Sequence, residues 1–159
     1  MEQLYRDQFA HYIDTGTSEA PNYVLEGIGV NSLALSYNPQ VAQEKTIIQR
    51  TADASFDGYQ IQASISDKRI HKGDAMWDFL NEARRHAKAV ETKMLEVEMA
   101  TGTGTPTPSY NATEFNVLIV ITEFLGENAT IGYDIYVKGD PTVGSATIAD
   151  SKPAFTPEV

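Results

Sequence analysis

Alternation of apolar and polar residues with a period of two runs through most of this sequence and limits its fold more than any other feature. In the segment 58–66, Ile61, Ala63 and Ile65 alternate with glutamines and serines. Other segments with the same alternation are 33–37, 94–99 and 131–137. Because successive side chains of a strand point to opposite faces of a sheet, the pattern predicts strands with one buried face. The chain is therefore predicted to be mainly β.

One segment, residues 115–121, has apolar residues on both faces and so predicts a central strand covered on both sides. Its most apolar part, Val117 to Ile121, is far shorter than the roughly 20 residues that a membrane-spanning helix needs. We therefore expect no association with a membrane. A turn over Gly126 to Asn128 is predicted to join this strand to the next.

A single segment has helical periodicity instead. Between Asp74 and Lys88, apolar residues such as Trp77 and Leu80 recur at spacings of three and four. Asp74 follows a glycine and is a plausible N-cap. The sequence therefore predicts one amphipathic helix whose apolar side packs on a sheet.

The 159 residues fit a single domain that covers residues 1–159, with 42% hydrophobic residues and a net charge of −10. Within it we expect an N-terminal arm over 1–22 and a protruding loop or hairpin arm over 40–57. The proline- and glycine-containing residues 139–159 are predicted to form an extended C-terminal segment. The acidic balance argues against a protein that binds nucleic acid through its phosphates.

Charge is unevenly distributed along the chain. Residues 68–93 hold seven lysines and arginines against four carboxylates, so the rest of the chain is strongly acidic. A basic region beside an acidic remainder could allow copies of the chain to dock head to tail. An ordinary solvated basic helix end is the alternative.

Motifs for catalysis or metal binding are missing from the sequence. It has no cysteine, which excludes thiolate metal sites and cysteine nucleophiles. Its three histidines stand far apart, and no nucleophile elbow or phosphate-binding loop occurs. We therefore predict no enzyme activity, no catalytic residue, no cofactor and no metal ligand.

The order of these features resembles a known family. The segment Gly27 to Gln40, a strand, one helix, two long strands and the ending Gly139 to Glu158 follow one another as in the major tail (tail tube) proteins of long-tailed bacteriophages. Those proteins are related in fold to the tube proteins of type VI secretion systems and contractile tails. The resemblance extends over nearly the whole chain.

The resemblance implies a β-sandwich or barrel with one flanking α-helix, an extended arm and extended termini. Six copies would close into a ring with a shared inner β-barrel, and stacked rings would form the tube through which DNA is ejected. The implied partners are further copies of the chain and other tail proteins, such as the tape measure, initiator or baseplate, and terminator proteins. DNA would pass through the lumen without specific binding. The implied location is the tail of the virion, assembled in the host cytoplasm.

Two sets of residues receive roles from this resemblance. The arm between rings would present Gln43, Lys45, Ile47, Ile48, Arg50 and Phe56. The face towards the lumen would present Gln60, Gln62, Ser64 and Ser66.

Other functions remain open at this point. A monomeric β-sandwich binding module would carry its aromatic residues on loops, whereas the tyrosines here fall mostly within strand patterns. A small enzyme on a β scaffold would need a pocket with converging polar groups. A tail connector or terminator protein would form one ring and then stop, whereas a tube protein polymerises.

Overall fold

The computed structural model describes residues 1, 3–125 and 127–159, and its main feature is a seven-stranded, nearly closed, barrel-like sheet. The prediction of a mainly β fold with one helix is confirmed. The strands are β1 (Phe9–Asp14), β2 (Tyr23–Leu25), β3 (Pro39–Glu44), β4 (Asp53–Tyr59), β5 (Gln62–Arg69), β6 (Val90–Thr103), β7 (Ser109–Phe124), β8 (Thr130–Ala149) and β9 (Lys152–Pro157). The helix, α1, is Ala75–Arg85.

The large sheet is antiparallel and has the strand order β2-β1-β6-β7-β8-β5. Strand β8 is long enough to serve two partners, because β5 pairs with its first part and β9 with its last part. The predicted central strand lies within β7, between β6 and β8. Strands β3 and β4 form a separate two-stranded sheet.

Residues 26–37 connect the two sides of the large sheet. Leaving β2, this segment reaches the free edge of β5, where the N–H of Arg69 donates to the carbonyl of Gly29 at 3.0 Å. At the other end of β5, Ser36 and Gln62 exchange two backbone hydrogen bonds of 2.8 and 3.0 Å. Gly29 has a φ of +74°, and a Cβ there would lie 2.7 Å from the Arg69 carbonyl oxygen. Only glycine fits this approach without strain.

Two apolar clusters pack on opposite sides of the sheet. The larger cluster lies under α1 and includes Ile13, Met94 and Phe115. The smaller cluster includes Tyr12, Leu95 and Val97. Consecutive residues of β1 and of β6 thus serve different clusters, as the period of a strand requires.

Helix α1 begins where the sequence predicts. The side chain of Asp74 accepts a hydrogen bond from the Met76 N–H at 3.0 Å, so the predicted N-cap is confirmed. Met76, Leu80 and Ala83 are buried against the sheet. The helix ends at Arg85, three residues before the predicted end, because Ala87 adopts a positive φ of 48°.

Leu80→Ala should lower the free energy of unfolding by about 2–5 kcal/mol, because Leu80 is fully buried in the larger cluster and truncation leaves a cavity. The measurement is urea denaturation followed by circular dichroism. Glu82→Ala is the matched control on the exposed side of the helix and should change stability by less than about 0.5 kcal/mol. Equal effects of the two substitutions would mean that α1 does not dock as described.

Two predicted segments differ in the structure. Residues 1–22, expected to form an arm, contain β1, which pairs with β2 and β6 and is buried on both faces by Tyr12 and Ile13. Residues 33–37, expected to form a strand, are irregular, because their backbone makes a single bridge to β5 at Ser36. The turn was predicted over Gly126 to Asn128, and its first residue, Gly126, lies outside the described residues.

The segment 40–57 lies within a β3–β4 hairpin that projects from the large sheet as a two-stranded ribbon. Residues 139–159 are extended, as the last part of β8 and the paired strand β9. Within the described residues, no helix has the length and apolar character needed to cross a membrane.

Candidate assembly surfaces

The face of the large sheet that carries the smaller apolar cluster is only partly covered by it, and we call the uncovered part the open face. A row of register partners runs across it from Gln62 on β5 through Tyr136 and Leu118 to Glu91 on β6. The remaining members of the open face are Ser64, Lys93, Asn116, Val120, Asp134 and Lys138. Leu118 and Val120 are half-buried, while the ends of the row are exposed.

All four residues predicted to face a lumen are exposed. Gln62 and Ser64 belong to the open face, since Ala63 and Ile65 between and after them are buried. Gln60 lies before β5, and Ser66 lies where the register between β5 and β8 shifts. The structure therefore brings two of the predicted residues together on one surface. The members of that surface on β6, β7 and β8 were not found from the sequence, because strand order cannot be read from alternation alone.

The charges of the open face are nearly balanced. The Nζ atom of Lys93 lies 2.8 Å from Glu114 Oε1, and the Nζ atom of Lys138 lies 2.6 Å from Glu91 Oε1. Asp134 adds a further carboxylate, and its hydrogen bond from the hydroxyl of Tyr136 raises the pKa of that tyrosine. Each lysine of this face thus has a carboxylate partner, so the face offers little attraction for phosphates.

The hairpin arm, residues 39–59, is the second surface. Every residue predicted to act in it is exposed. Ile47 and Ile48 at the tip are 102% and 89% exposed. At the base, the ring of Tyr59 packs edge-on against Tyr37 at 5.4 Å and Phe56 at 4.8 Å, measured between ring centroids. Such a concentration of exposed apolar groups is typical of an interaction surface.

The predicted basic region is smaller than its composition suggests. Lys68 is buried, Lys93 is paired with Glu114, and the guanidinium of Arg84 lies 3.9 Å from the ring centroid of Phe124. The exposed cations that remain in this region are Arg69, Lys72, Arg85 and Lys88. Head-to-tail docking through this region would therefore depend on those four residues.

A buried ion network, not found from the sequence, lies between the segment 26–37, β5, α1 and β8. The Nζ atom of Lys68 is 3.3 Å from Glu26 Oε1 and 3.1 Å from Asp74 Oδ2, and it donates to the carbonyl of Ile28 at 2.7 Å. The hydroxyl of Tyr133 donates to Glu26 at 2.5 Å. The side chains of Glu26, Lys68 and Asp74 are 0%, 1% and 4% exposed.

Burial dominates the proton equilibria of this network. It raises the pKa of Glu26, an effect that the nearby Lys68 and the Tyr133 hydrogen bond only partly offset. Burial also raises the pKa of Tyr133, and the adjacent Glu26 carboxylate raises it further. Across the described residues there is no group of three or more histidine, aspartate or glutamate side chains placed to hold a metal ion.

Comparison with known proteins gives a likeness of fold. No protein-family model matches the chain, and no curated protein matches it. The fold is shared with a baseplate chain. That chain belongs to the cryo-EM structure of the anti-feeding prophage baseplate, which is six-fold symmetrised. The TM-score is 0.52 at 8% sequence identity, over 90% of this chain and 96% of the other.

Proposed function

We propose that this protein is a structural subunit of a phage tail or tail-like assembly, and that six copies close into rings that stack into a tail tube. The observation that carries the proposal is the fold shared, over 90% of this chain, with a chain of a six-fold symmetrised baseplate. At 8% identity this likeness concerns the fold, so the role is inferred from it together with the two surfaces described above.

In the proposed ring, the open face of each copy contributes to the wall of the lumen. Its alternation of polar side chains such as Gln62 and Ser64 with buried Ala63 and Ile65 suits a sheet with water on one side and a core on the other. Its lysines are paired with Glu91 and Glu114, so a DNA duplex would slide past without being held.

The hairpin arm joins each proposed ring to the next. A two-stranded ribbon has no core of its own, and the tip residues Ile47 and Ile48 contact water on nearly all sides. Burying these side chains on a neighbouring copy would remove a large apolar surface from water. The proposed role requires no catalytic residue.

A second candidate is a ring that does not polymerise, as in a connector, terminator or baseplate component. The specific observation in its favour is that the matched chain comes from a baseplate. The two candidates share the ring and differ in whether rings stack.

Negative-stain electron microscopy over a series of protein concentrations tests both candidates. For a tube protein we expect hollow tubes with a central channel, which lengthen as concentration rises because stacking is a self-association. Single six-fold rings at every concentration would favour the second candidate. Monomers at every concentration would contradict both and favour a binding module.

A further inference from the structure

The buried network brings together a primary amine and two carboxyl groups that are almost completely shielded from solvent. Lys68 Nζ lies within 3.3 Å of both Glu26 and Asp74, and all three side chains are at most 4% exposed. Glu26 Oε2 and Asp74 Oδ2 accept no hydrogen bond. One ammonium beside two carboxylates leaves a net negative charge in a low-dielectric site, which is energetically costly.

We propose that Lys68 and Asp74 are joined by an intramolecular isopeptide bond, with Glu26 carrying the protons of the reaction. This modification is independent of the proposed function. A lysine amine is a nucleophile in its neutral form, and a carboxyl group is attacked more readily in its protonated form.

The geometry of Asp74 suits attack by the amine. Its Oδ1 atom accepts the hydrogen bond from the Met76 N–H at 3.0 Å, at the first turn of α1. Negative charge that develops on Oδ1 would be stabilised there by a backbone N–H and by the positive end of the helix. The other oxygen, Oδ2, points at Lys68 and is the leaving group.

The steps balance without an added reagent. A proton passes from the Lys68 ammonium to Asp74, which gives a neutral amine and a carboxylic acid. The amine nitrogen attacks Asp74 Cγ, a C–N bond forms, and Glu26 takes a proton from the nitrogen. Glu26 then returns that proton to the departing Oδ2 hydroxyl, the C–O bond breaks, and one water leaves.

The position of Glu26 allows it to carry the protons of this reaction. Its Oε1 atom accepts the hydrogen bond from Tyr133 and lies 3.3 Å from Lys68 Nζ, so it can reach the proton that the nitrogen loses. The raised pKa of Glu26 also makes it a stronger base than an exposed glutamate. It ends the reaction in the state in which it began.

Intact mass spectrometry of the purified full-length protein tests the proposal. The expected mass is lower than the sequence mass by one water. Digestion with trypsin should release a branched peptide in which residues 51–69 are joined to residues 73–84, because acylated Lys68 resists cleavage. An intact mass equal to the sequence mass, with residues 51–68 and 73–84 recovered as separate peptides, would overturn the proposal.

Peptide mapping also excludes another source of the same mass loss. Asp57 precedes Gly58, and a succinimide at such a pair also loses one water. That product would leave residues 51–68 unbranched and would count against the isopeptide bond.

Two variants test whether Glu26 takes part in the formation of the bond. Glu26→Gln keeps the shape of the side chain but cannot carry the proton, so its intact mass should equal the sequence mass while its circular dichroism stays that of the folded protein. Lys72→Arg changes an exposed residue in the connection between β5 and α1, and this variant should still show the loss of one water. Loss of one water in Glu26→Gln at the wild-type rate would remove Glu26 from the mechanism.

Discussion

Lys68→Met is expected to lower the free energy of unfolding by about 3–5 kcal/mol, the usual cost of removing one partner from a buried ion network. Lys68 is the partner of both buried carboxyl groups, as a cation before the proposed isopeptide bond forms and through that bond afterwards. Glu26 and Asp74 would remain buried without it. Methionine retains the packing volume, so the loss reports the missing charge and any covalent bond that it makes. Denaturation by urea measures the change.

Lys72→Met is the matched control, since Lys72 lies on the same connection between β5 and α1 but is exposed. Its effect should stay within about 0.5 kcal/mol. A loss below about 1 kcal/mol for Lys68→Met would indicate that water reaches the network, because solvated ion pairs contribute no more than that.

The dependence of this loss on pH distinguishes charge from packing. Burial raises the pKa of Glu26 above its ordinary value of 4.5, so the folded state binds this proton more tightly than the unfolded chain does. The corresponding stability is present below pH 4.5 and is lost as pH rises through the raised pKa. Without Lys68 that pKa rises further, so the difference between variant and wild type should be smaller near pH 4.5 than at neutral pH. A constant difference would point to packing alone.

The same network contains a residue, Lys68, that alternation alone would place on the wrong face of its strand. Ile61, Ala63 and Ile65 point inwards, so alternation would turn Lys68 outwards, with the exposed basic residues. A register shift between Ile65 and Lys68 reverses this, and Lys68 enters the core. Nothing in the local pattern marks that bulge, because it is fixed by the pairing of β5 with β8.

Strong local signals did predict their elements. The alternating segments at 94–99 and 131–137 lie within β6 and β8, and Asp74 caps the helix. By contrast, β1 was expected to belong to an arm. The strand is buried on both faces and includes His11 and Asp14, so its sequence shows no clear alternation of apolar and polar residues. Its place between β2 and β6 depends on long-range pairing that the sequence does not display.

The open face was predicted only in part for a related reason. Gln62 and Ser64 were identified because β5 alternates cleanly. Their neighbours Tyr136 and Leu118 lie on strands with apolar residues on both faces, so alternation could not separate the open side from the core. Only the register across three strands brings these residues into one row.

Ile47→Asp combined with Ile48→Asp is expected to abolish stacking of rings while leaving the fold unchanged. Both side chains are almost fully exposed in the single chain, so the substitutions remove no contact within it. In the proposed tube they would be buried between rings, where each contributes about 1.5–3 kcal/mol. Losing both should raise the concentration needed for stacking at least about 100-fold. Electron microscopy and sedimentation, with circular dichroism for the fold, measure the outcome.

Thr46→Asp combined with Thr51→Asp is the matched control, because it adds the same charge to exposed positions of the same loop and leaves both isoleucines in place. We expect tubes to form at nearly the wild-type concentration in this control. Tubes of normal length from the isoleucine variant would remove the arm from the contacts between rings. Loss of tubes in both variants would assign the effect to the added charge at the tip, because the control variant keeps both isoleucines.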